Sequence, residues 1–297
     1  MLLLPLQPAR PLLPLLAAAL LMPLPWRPAA AQPATTERAA AEAAASAKPF
    51  PAIEAGMHTA RIIRIAVDRA GRWAVTASDD KTARIWNLAS GKQEGVLRVP
   101  LGEGAEGKLY AVALSPDGAL VALGGYISPC CGNQAIYLFD RASGRLLQRL
   151  SGLPNVALHL AFAADGRRLA AALGEGGIRV YGATGQGAWA QVAADGDYGA
   201  DSYSVEFDAA GRLLATSWDG ELRLYGAGGS GRLQPLVRRA APGGKQPFFA
   251  RFSPDGRRIA VGFADSTAVA VLDGTSLEPL APADTRSFTN GDLGRVA

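Results

Sequence analysis

The sequence predicts an all-β fold assembled from one repeated antiparallel unit, and three observations predict it. Five tight turns (Asp68–Gly71, Ser115–Gly118, Ala163–Gly166, Asp208–Gly211 and Ser253–Gly256) end in glycines spaced by 47, 48, 45 and 45 residues. A fixed period of this size marks an array of a single supersecondary unit. Short runs of alternating hydrophobicity flank each turn. The 35 glycines and 20 prolines of the 297 residues fall between these runs as punctuation, which favours turns and strands over long helices. Four short strands per unit, joined by tight turns, make a β-propeller blade. The pattern covers residues 53–297 and gives five complete four-stranded blades plus the first strand of a sixth, "LGRVA".

The chain begins with something else. Residues 1–31 hold an uncharged apolar run after Arg10, then Ala29 and Ala31 as the small residues of an A-x-A cleavage site. This reads as a secretory signal peptide, with the mature chain starting at Gln32. Four prolines between Pro11 and Pro25 argue against a transmembrane helix, and no cysteine near the cleavage site offers a lipid anchor. The expected location is periplasmic or secreted, with no stable membrane anchor after cleavage. Residues 32–52, rich in Ala, Glu and Pro, read as an exported linker. Losing Arg10 and Arg27 with the signal lowers the net charge from +4 to 28 − 26 = +2. No run of five or more basic residues appears, so nucleic acid is not an expected partner.

The blades run in chain order. "IIRIAV" enters the first turn and "WAVTAS" leaves it, succeeded by "TARIWNL" and the weaker "GKQEGVLRV". The second blade gives "LYAVALS", "LVALGG", "AIYLFD" and "GRLLQRL", and the third enters on "VALHLAF". The fourth gives "YSVEF", "LLATS" and "ELRLY", and the fifth "FFARFS", "RIAVGF" and "AVAVLD". In the Ser-Pro-Asp-Gly turns, Pro presets the first central φ, Asp bonds back to the backbone and Gly takes the positive φ.

The run Gly56-Met57-His58, then Ser78-Asp79-Asp80, then Ile85-Trp86-Asn87 resembles the WD-repeat β-propeller family. Asn87 stands where that family usually has Asp. Later blades are degenerate, with Phe139-Asp140, Tyr181-Gly182, Tyr225-Gly226 and Leu272-Asp273 near the tryptophan position. The wording of the second and fifth blades is also similar to propellers of long exported bacterial proteins, some joined to a caspase-like peptidase domain that nothing here matches. The resemblance implies a structural tetrad in blade 1: Asp80 accepting from His58, His58 meeting Ser78, and Ser78 meeting the indole N–H of Trp86. A Ser/His/Asp set invites a catalytic reading, yet no oxyanion-hole signature stands beside Ser78. The tetrad is expected to be scaffolding.

Other motifs carry little chemistry. "GEGAEGKL", Gly102–Leu109, matches both a dinucleotide fingerprint and most of a phosphate loop. Both need the glycines to open a helix. The residues after these glycines have a strand pattern instead, so a long inter-blade loop is expected. Two histidines, His58 and His159, and the adjacent Cys130 and Cys131 give no metal-ligand spacing, so neither a metal nor a cofactor is expected. His159, on an alternating strand, reads as packed. About six residues within "YISPCCG" lengthen one hairpin loop of blade 2, and lengthened loops on a rigid scaffold tend to bind. Tyr126, Cys130 and Cys131 are therefore candidate partner-binding residues, the cysteine redox state being open. Trp218, in a hairpin turn of blade 4, is a fourth, expected to face solvent on the same side as Tyr126.

The function expected is an exported, non-enzymatic scaffold that binds a protein partner. An alternative is a sensor or regulatory propeller of a longer protein whose effector domain is missing. Another is a propeller hydrolase, which requires His, Asp or Glu side chains converging on inner strands that read as apolar. The alternation stops at Ala297 with no turn signal, so the chain is expected to be a truncated propeller, self-associating when expressed alone.

Overall fold

The computed structural model describes residues 55–127, 133–185, 187–228, 230–280, 283–285, 287 and 294–296. The expected signal peptide (1–31) and the linker (32–52) lie outside the described residues, as do Cys130 and Cys131.

Alternating side chains let each short strand bury residues on both faces of a thin sheet, and the five sheets match the five glycine turns. Blade 1 is β1 (Ile62–Val67), β2 (Trp73–Ser78), β3 (Ala83–Asn87) and β4 (Lys92–Leu97), paired in chain order. Blade 2 repeats the plan with β5 (Leu109–Leu114), β6 (Leu120–Gly125), β7 (Gln134–Asp140) and β8 (Leu146–Leu153). Blade 3 has β9 (Ala157–Phe162), β10 (Arg168–Leu173), β11 (Ile178–Gly185) and β12 (Ala188–Asp195). Blade 4 has β13 (Ser202–Phe207), β14 (Leu213–Ser217) and β15 (Glu221–Tyr225), then β16 (Gly231–Arg232) and β17 (Pro235–Ala240). Blade 5 has β18 (Pro247–Phe252), β19 (Arg258–Phe263) and β20 (Val269–Asp273). The result is an all-β propeller of mostly four-stranded antiparallel blades. Among the described residues no helix is long and apolar enough to cross a membrane.

Three details depart from the expected five identical blades. β16 pairs in parallel with β12 and gives blade 3 a fifth strand, while β17 takes the outer place in blade 4. Among the described residues blade 5 has three strands, and a bridge, Leu272 to Pro279, stands where its fourth was expected. Past this bridge Leu280 N donates to Val271 O at 2.8 Å, and residues 281 and 282 lie outside the described residues. Gly294–Val296, within the expected sixth-blade strand, carry no strand pairing. Gly294 instead lies against β18, where an added Cβ would come within 3.2 Å of Phe248 Cδ1.

The turns behave as their residues require. Gly71, Gly118, Gly166, Gly211 and Gly256 all have positive φ, between 65° and 83°, and each donates its N–H to the carbonyl three residues back at 2.8–3.1 Å. Arginines next to the turns stitch each to a neighbouring blade. Arg72 donates to Asp117 O at 2.9 Å, Arg168 to Gly211 O at 3.3 Å and Arg212 to Gly256 O at 3.0 Å.

Apolar clusters fill the spaces between successive blades. Val75, Ile85 and Leu97 of blade 1 meet Leu123 and Phe139 of blade 2. Leu138 and Leu153 meet Leu169 and Leu173 between blades 2 and 3. Ile178 and Val180 meet Val205 and Tyr225 between blades 3 and 4. Leu214 and Leu224 meet Ile259 and Phe263 between blades 4 and 5. The inner strands β1, β5, β9, β13 and β18 contact one another in that order, so their first residues gather around the axis at the end opposite the glycine turns.

Candidate functional site

Blade 1 holds a hydrogen-bonded chain, but not with the expected serine. His58 donates from Nδ1 to Asp80 Oδ2 at 2.8 Å, and its Nε2 meets Thr76 Oγ1 at 2.7 Å. The Trp86 indole N–H donates to the same Thr76 oxygen at 2.9 Å. With Asp80 accepting at Nδ1, that nitrogen carries a proton, and Nε2 faces the Thr76 hydroxyl. Thr76 thus does what Ser78 was expected to do. The reason is register: Thr76 lies two residues from Ser78 on the same face, and Ala74, two further on, is paired with Trp86. Ser78 instead donates to Ala60 O at 3.3 Å and accepts from Asp80 N at 3.1 Å, shaping the hairpin turn. The His58 and Asp80 side chains are only 3% and 5% exposed. Burial opposes ionisation of Asp80, yet hydrogen bonds from Thr82, His58 and the Thr59 N–H outweigh it and hold its carboxyl below the usual range. Every polar atom of this chain is spent on holding the blade.

The functional candidate is the mouth of the central channel, where a cavity of about 640 Å³ opens at the ends of the inner strands. One wall is aromatic: Trp218 stacks on Tyr203 with ring centroids 4.2 Å apart, and Tyr203 meets Phe248 at 4.8 Å. Tyr110 and Tyr126 of blade 2 form an edge-on pair at 5.3 Å in another wall. Arg64, from β1, crosses the axis between them. It donates from Nη2 to Leu158 O at 3.2 Å and lies over the Phe249 ring at 4.6 Å. Arg61 and Arg295 also border the space, as do Glu175 and Asp201. Burial, and secondarily Glu175, raises the pKa of Asp201. Glu175 is held at φ 79° in the β10–β11 turn, a left-handed conformation unusual for a residue other than glycine.

Tyr126 is 42% exposed and borders the cavity, and so does Trp218. Trp218 does not face solvent as expected. It is half-buried against Tyr203, with its indole nitrogen buried and without a partner among the described residues. The strand alternation explains this: β13 brings Tyr203 beside the β14–β15 turn, and a flat ring there covers it.

His159 is packed, at 8% exposure. Its Nδ1 accepts from Val205 N at 3.2 Å, and its ring meets Phe249 edge-on. Burial first, then Arg64, lowers its pKa well below the ordinary value. The stretch from Gly102 to Lys108 is an inter-blade loop running into β5, and its Gly102 carbonyl accepts from the Lys81 ammonium at 2.7 Å.

Sequence reasoning missed Arg64, Tyr203, Phe248 and Arg295. It took the inner strands as apolar, yet Arg64 and His159 sit in two of them and Glu206 pairs with Arg251 at 2.9 Å across two more. A charged residue interrupting an otherwise apolar strand was the available signal.

Comparison with known proteins agrees with this geometry. The family model described as "WD domain, G-beta repeat" matches residues 56–87, the segment that contains the Asp80–His58–Thr76–Trp86 chain. A ribosome biogenesis protein BOP1 homolog from Monosiga brevicollis is 31% identical over 106 residues, 33% of this chain and 12% of the relative. WD repeat-containing protein 62 of Mus musculus is 24% identical over 115 residues, 39% of this chain and 7% of the relative. The ribosome biogenesis protein erb1 of Botryotinia fuckeliana is 41% identical over 49 residues, 16% of this chain and 6% of the relative. The matches therefore span no more than 12% of the length of these relatives. Five blades on one repeat plan, with a match to the WD repeat in the first, support a WD-repeat β-propeller.

Proposed function

We propose that the protein is an exported, non-enzymatic scaffold that binds a protein partner at the mouth of its propeller. The observation that carries this reading is the cavity walled by Tyr126, Trp218 and Tyr203. Aromatic side chains with one wet edge are the residue type that anchors protein interfaces, and here a rigid ring of strands presents them. The hydrolase reading has Glu175 and Asp201 at the mouth but no free histidine beside them. Both histidines are engaged, His58 inside blade 1 and His159 through Nδ1, and Glu206 is committed to Arg251 and to the Phe252 N–H. Export rests on the signal-like residues 1–31.

A photo-crosslinking residue introduced at Tyr126, and separately at Leu146, tests the binding reading. Leu146 is comparably exposed, at 44%, but lies at the start of β8, away from the cavity. Material exported with the probe at 126 should form a discrete adduct with a protein partner, and the probe at 146 should not. Adducts only at 146, or none at either position, would remove the mouth as the working surface.

A further inference from the structure

We propose that the mouth is a carboxylate-binding site that takes a peptide through one carboxylate beside an apolar or aromatic side chain. The proposal rests on the protein-binding reading and narrows it to a ligand chemistry.

Arg64 is the first observation. It borders the cavity at only 7% exposure, and beyond the bond from Nη2 its Nε and Nη1 have no hydrogen-bond partner among the described residues. No carboxylate among those residues pairs with it, and Glu206, the acid of the inner strand β13, is taken by Arg251. A buried charge is ordinarily paired and hydrogen-bonded, and a guanidinium presents its donors in a fork that fits the two oxygens of a carboxylate. Burial first, then the positive charge of Arg295, pulls the Arg64 pKa down to about 9. It is still a cation at neutral pH, and an anion between the two arginines relieves both penalties.

The second observation is the buried indole nitrogen of Trp218, on the same cavity and also without a partner. It adds a neutral donor on the aromatic wall. Charge selects among oxyanions. Three arginines (61, 64 and 295) and two acids (Glu175 and Asp201) border the space, an excess of one positive charge. A monoanionic carboxylate matches that excess, whereas a phosphate dianion meets repulsion from Glu175 and Asp201. The stack of Trp218, Tyr203 and Phe248 then receives the apolar body that carries the carboxylate. Two sources supply such a group: the C-terminal carboxylate of a peptide, or an acidic side chain within one.

Calorimetric titration of the purified protein decides between them, using three peptides capped at the N-terminus by acetyl. The first is Gly-Ser-Ala-Phe with a free carboxylate, the second its C-terminal amide, and the third the amide of Gly-Ser-Asp-Phe. Binding of the first alone assigns the site to a peptide C-terminus, and binding of the third as well admits internal acids. In either case Arg64→Gln should weaken the carboxylate peptide at least tenfold. Arg64 also bonds to Leu158, so Arg295→Gln and Trp218→Phe serve as variants less tied to the fold, each expected to weaken binding about three- to tenfold with an unchanged melting temperature. Equal binding of the first two peptides, no binding of either carboxylate peptide at about millimolar concentration, or tighter binding of inorganic phosphate overturns the proposal. The titration needs no cellular partner, so its failure leaves the crosslinking result standing and the reverse holds as well.

Discussion

In blade 1 the residue four before the inner strand is His58, and the residue eight after the hairpin serine is Trp86. In blade 4 the same places hold Tyr198 and Tyr225. Blade 1 joins its pair through the Thr76 hydroxyl. Blade 4 has Ala215 at that register and joins its phenols directly, Tyr198 Oη to Tyr225 Oη at 2.9 Å, with Tyr225 donating to Asp195 at 2.7 Å. Burial above all raises the pKa of both phenols. The third polar member also differs. Asp80 serves His58 and the Thr59 N–H, whereas Asp219 pairs with Arg223, which lies over the Tyr198 ring at 4.0 Å. The surroundings differ more than the hydrogen bonds. The Tyr225 face packs into the apolar cluster shared with blade 3. Among the described residues the corresponding face of blade 1 contributes nothing to an apolar cluster, and beside Thr76 on that face Ile65 is 64% exposed. Where apolar packing is complete, the polar chain is free to change its chemistry. Where it is not, the polar chain holds more of the blade.

The largest effects should come from removing the central ring of each chain. Tyr225 is 1% exposed and is packed on both counts, so Tyr225→Ala should cost about 4–5 kcal/mol. Trp86 is half-buried, so Trp86→Ala should cost about 3 kcal/mol, the lower end for an aromatic truncation. Denaturant melts measure both. A larger loss at Trp86 than at Tyr225 would reverse the assignment of packing to blade 4.

Removing only the hydrogen bonds sharpens the comparison. Thr76→Val keeps the shape but orphans the indole N–H and removes the hydroxyl at His58 Nε2, so it should cost about 2 kcal/mol, most of the Trp86→Ala loss. Tyr225→Phe should cost about 1–2 kcal/mol, well under half of Tyr225→Ala. Ser78→Ala should cost about 1 kcal/mol, since its bonds belong to the turn. If Ser78→Ala exceeds Thr76→Val, the chain runs through the serine after all.

Much of this was legible beforehand, for physical reasons. A positive-φ glycine every 45–48 residues is a strong signal because few residues tolerate that backbone, and it fixed the blade count. The choice between Thr76 and Ser78 was not legible, because both are hydroxyls on one face of one strand and only the register with β3 separates them. The Tyr198–Tyr225–Asp195 chain was hidden for another reason. Tyr225 was visible at the tryptophan position, but its partners stand 27 and 30 residues earlier in the chain, one of them in the preceding blade. The cavity was half legible: Tyr126 and Trp218 stood out in turns, while Arg64, Tyr203 and Phe248 lie in strands that read as core.

Acid should act on both blades alike, and by a smaller amount. Asp80 and Asp219 are both held below the usual carboxylate range: burial opposes this in each, and hydrogen bonds from Thr82 and His58, or from Arg223, overcome it. A carboxylate with a depressed folded pKa contributes stability above its unfolded pKa, about 3.9, and that contribution is lost as pH falls through the folded value. Asp80→Asn and Asp219→Asn should therefore lose stability at neutral pH and show a flatter decline below about pH 4 than the parent. Parallel curves for parent and variants would show that neither carboxylate carries the acid sensitivity.

The smallest effect is expected on the exposed side of β1, and it tests the premise of the comparison most directly. Ile65 and Val67 alternate with Ala66, which packs toward blade 2, so they project to the other face, where they are 64% and 49% exposed. In β13 the residue that packs toward blade 3 is Val205, fully buried. An exposed β-branched side chain recovers little of the transfer free energy that burial supplies, and threonine keeps its strand preference. Ile65→Thr should therefore change stability by less than about 0.5 kcal/mol, while Val205→Thr should cost about 2 kcal/mol by placing a hydroxyl in an apolar cluster. The pair is read by chemical denaturation at two protein concentrations. A loss at Ile65 that approaches the loss at Val205, and that shrinks on dilution, would mean that the β1 face is covered by a second copy in solution. Blade 1 would then have apolar packing of its own, and the contrast with blade 4 would narrow to the hydrogen bonds alone.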